Sequence, residues 1–313
     1  MAKLVAWLLA IFLSAQLASA AEDIPYLLTV ASKGDVKTLR AMLQTGANPN
    51  TQDNDGLTAL MYATRKDNPE VVKLLIQHGA DVNLRDSSGW TALMYAAKKN
   101  YLDCAKLLLD KGADAKVRDV SGWSALGLAA SSGYASFVDL LINAGVEVNS
   151  RSDDGKTILM YAAKNGDKAT IQALINHKAD LDARDNQLAT ALIYAARSGR
   201  TDACDELLQG GASLEAMDNS GWTALTWAVK KKQVASAKFL MDKGAKVNVP
   251  DKSGSYLLHL AVANNDSKMV ANLLAHGADT NVKDQYSLTP LVYALKNQNT
   301  AIVNLLKQAG GSY

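Results

Sequence analysis

Apolar positions along this chain fall into short blocks separated by polar turns. Residues 53–85 show the pattern. Asp53-Asn54-Asp55-Gly56 is turn chemistry, short side chains that bond backbone followed by a glycine for positive φ. Thr58 can cap a following helix by offering its hydroxyl to free N–H groups. Residues 59–66 predict a short helix whose small residues, Ala59 and Ala63, let neighbours approach closely. Asp67-Asn68-Pro69 is expected to break it. Glu70 to His78 predict a second helix with Val71, Val72, Leu74, Leu75 and Ile76 apolar. Gly79 then supplies a left-handed C-terminal cap.

The block recurs every 33 residues without insertion. Thr58-Ala59-Leu60 returns as Thr91-Ala92-Leu93, Ser124-Ala125-Leu126, Thr157-Ile158-Leu159, Thr190-Ala191-Leu192, Thr223-Ala224-Leu225, Tyr256-Leu257-Leu258 and Thr289-Pro290-Leu291. Asp53, Asp86, Asp119, Asp185, Asp218, Asp251 and Asp284 open the units, with Ser152 as the exception. A glycine closes the second helix in every unit but one, where Lys178 stands. A partial unit from Ile24 to Asn50 precedes them. Two helices this short cannot bury their apolar faces alone, whereas stacked units can.

The 33-residue period, the Asp-x-x-Gly-x-Thr-x-Leu starts and the Leu-Leu-x-x-Gly-Ala ends resemble the ankyrin-repeat family. The resemblance implies an all-α ankyrin-repeat solenoid of helix-turn-helix units joined by short β-hairpin-like loops. It spans residues 21–313 as one array. Residues 21–52 are expected as an N-terminal capping repeat, 53–283 as seven full repeats and 284–313 as a C-terminal cap. Two features depart from the family. Its histidine after Leu occurs only at His259, and its proline only at Pro290. Such arrays bind other molecules, usually proteins, and do not catalyse. Partners usually dock in a concave groove lined by hairpin tips and first helices.

Residues 1–20 read as a signal peptide. Lys3 is the positive start, Leu4 to Leu13 the apolar run, and Ala18-Ser19-Ala20 the small-residue cleavage pattern. The run is short of the roughly 20 residues a membrane span needs. Cleavage near Ala20 and a periplasmic or secreted location are expected, with no membrane span afterwards. Cys104 and Cys204 lie three units apart, about 30 Å at roughly 10 Å per helix layer. A disulfide needs Cα atoms within about 7 Å, so both are expected as buried free thiols.

Length alone suggests two domains, but the repeat overrides that prior. With 48% hydrophobic and 20% charged residues, the chain is not disordered. A net charge of +2 gives no reason to expect nucleic-acid binding. No catalytic, phosphate-binding or metal-ligating motif is present, and no cofactor is expected. His78, His177 and His276 share one column, three units apart, and cannot meet on one metal.

Three columns carry candidate binding chemistry. Trp90, Trp123 and Trp222 follow the hairpin glycines. They are read either as partner contacts or as side chains packed sideways on a neighbouring hairpin. Arg85, Arg118, Arg151 and Arg184 precede the opening residue of their units and are expected to form a row. Arg65, Lys98, Lys164, Arg197 and Lys230 end first helices, and an aromatic stands three residues before each. Among these aromatics are Tyr95, Tyr161 and Tyr194. An (i, i+3) pair shares a helix face, so each ring is positioned to hold a cation. This ladder is read either as a surface for an acidic partner or as stacking inherited with the repeat. Lys178 and Leu188 replace glycines at left-handed positions, and the junction around them is expected to be reshaped or locally weak. Together these readings give a monomeric, exported, non-enzymatic scaffold with a basic and aromatic concave face for an acidic protein or peptide. A secreted effector acting on a host protein and a binder of an anionic envelope polymer are the alternatives.

Overall fold

The computed structural model describes residues 25–313. The segment read as a signal peptide lies outside the described residues. Among the described residues eighteen α-helices alternate. The first helices of successive pairs are α1 (Tyr26–Lys33), α3 (Ala59–Arg65), α5 (Ala92–Lys99), α7 (Ala125–Ser132), α9 (Ile158–Asn165), α11 (Ala191–Arg197), α13 (Ala224–Lys230), α15 (Leu257–Ala263) and α17 (Pro290–Lys296). The second helices are α2 (Val36–Gln44), α4 (Pro69–Gln77), α6 (Leu102–Asp110), α8 (Ala135–Asn143), α10 (Lys168–Asn176), α12 (Thr201–Gln209), α14 (Val234–Asp242), α16 (Ser267–Ala275) and α18 (Thr300–Gln308). The described residues contain no strand. Isolated antiparallel bridges close hairpins at Gln52–Thr58, Arg118–Ser124 and Arg151–Thr157. This is an all-α solenoid of helix-turn-helix repeats. It divides into two compact units, one ending at Leu128 and one beginning at Ala129.

Local chemistry sets each helix end. The Thr58 hydroxyl accepts the Met61 N–H at 3.2 Å and starts α3. Asp67 at φ 52° turns the chain out of α3, and the Asn68 N–H closes on the Ala63 carbonyl at 3.1 Å. Asn68 then caps α4 through the Val71 N–H at 3.1 Å. Pro69 occupies the first position of α4. The proline expected to break one helix therefore begins the next, because its missing N–H would be unpaired there anyway.

First helices stack on first helices and second on second. In the first unit α3 lies between α1 and α5, and α4 between α2 and α6. In the second unit α9, α11, α13, α15 and α17 form one layer, and α8, α10, α12, α14, α16 and α18 the other. Ala63, Ala96, Ala195 and Ala228 are fully buried at the first-helix contacts, where a larger side chain would hold the helices apart. Leu75, Leu108, Leu141, Leu174, Leu207, Leu240 and Leu273 fill the same place on successive second helices. Burying each is worth roughly 1.5–3 kcal/mol.

Side-chain clamps tie one repeat to the next. Asn50 accepts the Asp81 N–H at 2.8 Å and donates to the Gly79 carbonyl at 3.3 Å. Asn83 repeats this on Asp114 and Gly112, and Asn248 on Asp279 and Gly277. The junction at Lys178 and Leu188 keeps the repeat's backbone instead of being reshaped. Lys178 sits at φ 63° and Leu188 at φ 58°. The Ala179 N–H still reaches the Leu174 carbonyl at 2.9 Å, and the Leu188 N–H the Asp185 carbonyl at 2.9 Å. These bonds hold both residues in the left-handed region despite a cost of roughly 1–2 kcal/mol each. Ser287 at φ 60° is a third substitution of this kind, in the last hairpin.

Cys104 and Cys204 are buried free thiols, as expected. Burial pushes both up to about 12, so neither is a thiolate at neutral pH. Beside Cys204's column, the Thr170 hydroxyl is fully buried and has no hydrogen-bond partner among the described residues. Thr170→Val keeps the branched shape and removes that unpaired group. It is expected to stabilise the chain by about 1 kcal/mol, read as a higher urea midpoint.

Candidate functional site

In five repeats, those of Asp53, Asp86, Asp185, Asp218 and Asp284, the opening aspartate organises the hairpin and the first helix together. Asp86 Oδ1 accepts the Ser88 and Trp90 N–H groups at 2.9 and 2.8 Å, which closes the turn. Its Oδ2 accepts the Tyr95 hydroxyl at 2.6 Å. The same arrangement joins Asp53 to Tyr62 at 2.8 Å, Asp185 to Tyr194 at 2.6 Å and Asp284 to Tyr293 at 2.5 Å. Trp227 takes the tyrosine's place on Asp218 at 2.7 Å. Burial first, then the aspartate, raises the Tyr95 and Tyr194 hydroxyls well above their ordinary value, so both remain donors.

Two repeats carry leucine in the tyrosine column, Leu128 and Leu260. Their aspartates take a donor from the preceding hairpin instead. The Trp90 indole donates to Asp119 Oδ2 at 2.8 Å, and the Trp222 indole to Asp251 Oδ2 at 2.9 Å. Both tryptophans are half-buried, and their rings pack on Tyr95 and Trp227 with centroids 5.0 and 4.9 Å apart. Sideways packing on the next hairpin thus describes the geometry of Trp90 and Trp222. The aspartate's second role is missing from a column-by-column reading of the sequence. Its signal is there, since each leucine in the tyrosine column follows a hairpin tryptophan one repeat earlier.

The arginine column staples hairpins. Arg85 donates to the Gly89 carbonyl of its own hairpin at 3.1 Å and to the Arg118 carbonyl of the next at 2.6 Å. Arg118 reaches the Gly122 carbonyl at 3.1 Å. In the second unit Arg151 bridges the Gly155 and Arg184 carbonyls at 3.0 and 2.7 Å, and Arg184 reaches the Met217 carbonyl at 3.0 Å. These guanidiniums hold backbone while keeping their charge at the hairpin edge.

The helix-ending cations Arg65, Lys98, Lys164, Arg197 and Lys230 are all exposed, and Tyr95, Tyr161 and Tyr194 beneath them are half-buried. Arg65 lies 5.7 Å from its own (i, i−3) ring, Tyr62, and 5.4 Å from Tyr95 of the next repeat. Arg197 lies 4.3 Å over Trp227 of the next repeat, and Lys230 lies 5.7 Å from Trp222. The cations therefore reach across repeats as well as along one helix, because each tethered ring leans toward its hairpin aspartate. In the first unit a pocket of about 450 Å³ opens over Tyr62, Trp90 and Tyr95, with Arg65 and Lys98 at its edge. In the second unit a pocket of about 240 Å³ lies beside Tyr194, Arg197, Asp218 and Trp227.

The histidine column lies at second-helix ends. His276 Nδ1 faces the Asn272 carbonyl at 2.8 Å and Nε2 faces Asp242 Oδ1 at 3.0 Å. A neutral imidazole has one N–H, so only the protonated ring donates to both. The Asn272 carbonyl and the Asp242 carboxylate accordingly raise the His276 value, against smaller opposing effects of burial and then of Lys238. Lys238 and His276 together lower Asp242. A raised histidine stabilises fully below its unfolded value near ~6.5, and this is lost as pH rises through the folded value. A lowered aspartate stabilises above about 3.9, and this is lost on further acidification. The melting-temperature difference between the wild type and His276→Gln is therefore expected to be largest from about pH 4 to 6.5 and to shrink in alkaline buffer. Among the described residues no group of three or more His, Cys, Asp or Glu side chains is placed to hold a metal ion. No helix among them is long and apolar enough to cross a membrane.

A family model described as ankyrin repeats (3 copies) matches residues 27–119, 112–185, 185–251 and 244–312. No curated protein matches the chain.

Proposed function

Because the chain belongs to the ankyrin-repeat family, a family of protein-interaction scaffolds, we propose that it is an exported, monomeric, non-enzymatic binding protein for an acidic protein or peptide. The observation that carries the reading is that each unit exposes cations on half-buried aromatic rings, in a chain whose net charge is only +2. Arg65 and Lys98 in the first unit, and Lys164, Arg197 and Lys230 in the second, are the contact residues. The ring faces of Trp90, Trp123 and Trp222 and the Arg85, Arg118, Arg151 and Arg184 edge supply further contact. Export, to the periplasm or the medium, is supported by the pattern of residues 1–20.

The geometry decides how to test this. Trp90→Ala and Trp222→Ala would remove hydrogen bonds to a neighbouring hairpin, so loss of binding there would conflate folding with recognition. Charge reversal at exposed helix ends avoids that. The wild-type chain and a Lys98→Glu/Lys164→Glu/Lys230→Glu variant are used as baits on extract from the fraction in which the native chain is found. An acidic protein held by the wild type and lost with the variant supports the reading. Equal recovery by both baits overturns it. A ligand that is a polyanion instead of a protein is recognised by affinity falling steeply with salt. Recovery of the native chain from growth medium instead of the envelope favours a secreted effector.

A further inference from the structure

We propose that the pocket among α1, α3 and α5 is an anchor subsite for an aromatic side chain flanked by carboxylates, carried on a partner peptide. The proposal rests on the function above and narrows it to one place in the first unit. The pocket's volume, about 450 Å³, accommodates one large side chain with the chain on either side of it. Tyr62, Trp90 and Tyr95 line it. Their polar atoms are already committed, to Asp53, Asp119 and Asp86. What they offer a ligand is therefore ring surface.

Four cations surround these rings. Arg65 and Lys66 end α3, and Lys98 and Lys99 end α5. All four are exposed, and among the described residues none has a carboxylate within ion-pair distance. No acidic side chain lines the pocket. The aspartates below it have both oxygens occupied by turn N–H groups and the aromatic donors. Four like charges round one cavity repel each other and favour an incoming anion. A small inorganic anion would meet the cations and leave the rings unused. An uncharged aromatic would meet the rings and leave the cations uncompensated. A ring between carboxylates meets both. The second unit's pocket differs on each count. It is smaller, Asp218 lines it, and its single cation, Arg197, lies over Trp227.

The experiment selects a phage-displayed library of random peptides on the full chain and measures enriched peptides by fluorescence anisotropy. The expected motif is Phe, Trp or Tyr between Asp or Glu residues. Lys98→Glu/Lys99→Glu is expected to weaken such a peptide about tenfold or more, as hot-spot loss does. Replacing its central ring by alanine should do the same. Lys268→Glu/Lys307→Glu, at exposed second-helix positions of the second unit, should leave binding unchanged. Thermal melts of both variants check that these exposed reversals leave the fold intact. Acidic peptides that bind Lys98→Glu/Lys99→Glu as tightly as the wild type overturn the anchor while leaving the acidic-partner reading standing. Peptides that keep their affinity without the ring overturn the aromatic part and indicate simple polyanion binding. A library that yields only neutral or basic peptides, or none, overturns both.

Discussion

Asp185→Ala is expected to lower the unfolding free energy by about 3 kcal/mol, read from urea unfolding followed by circular dichroism. Asp185 is only 4% exposed. Its Oδ1 accepts the Gln187 and Ala189 N–H groups at 2.8 and 2.9 Å, and its Oδ2 the Tyr194 hydroxyl at 2.6 Å. Alanine leaves all three donors without that acceptor, at about 1 kcal/mol or more for each that stays dry. The turn also has little reserve, since Leu188 already occupies the left-handed region at φ 58°. Asp185→Asn keeps the Oδ1 acceptor and sets an amide against the Tyr194 hydroxyl, so about 1 kcal/mol is expected. Equal losses for Ala and Asn would show that the tyrosine tether, not the turn, carries the effect.

Phe137→Ala is expected to cost about 3–5 kcal/mol. Phe137 is fully buried and heads the largest enclosed side chains of the core. It lies on α8, which packs against α10, and most neighbouring second-helix residues in its column are smaller. A cavity left there has rigid helical walls and cannot easily collapse. Because a repeat touches only its neighbours, the loss should appear first as reduced hydrogen-exchange protection over α8 and α10. Uniform loss of protection through the second unit would indicate stronger coupling between repeats than this account allows. Phe137→Leu, which keeps most of the volume, should cost much less.

These two variants probe different levels of legibility. Phe137 is an apolar residue on the buried face of a helix whose period can be read directly. Asp185 reads as a turn former, and that is half its role. The turn bond is local, from the carboxylate to residues two and four positions on. Its bond to Tyr194 spans nine residues and needs helix and hairpin folded together. The tryptophans show the same limit more sharply. Trp90 looks exposed because it follows a hairpin glycine, yet its indole donates to an aspartate 29 residues later. The arginine column was legible as charge and not as a staple, since its acceptors are backbone carbonyls, which carry no residue-specific mark.

The period, the helix pairs, the caps at Thr58 and Asn68 and the left-handed glycines follow from the sequence by itself. They depend on bonds within a few residues and on which face of a helix is apolar. The retained backbone at Lys178 and Leu188 was decided by tertiary structure. Local propensity disfavours a left-handed lysine or leucine, and bonds to the neighbouring repeat fix the flanks, the Asp180 N–H on Asn149 Oδ1 at 2.9 Å and the Asn186 N–H on the Asp154 carbonyl at 3.2 Å. The same holds for the pocket over Tyr62, Trp90 and Tyr95. Each ring and each cation is visible in its own repeat. Their convergence on one cavity depends on how three first helices stack and on which aspartate claims each polar atom, and both are fixed by packing between repeats.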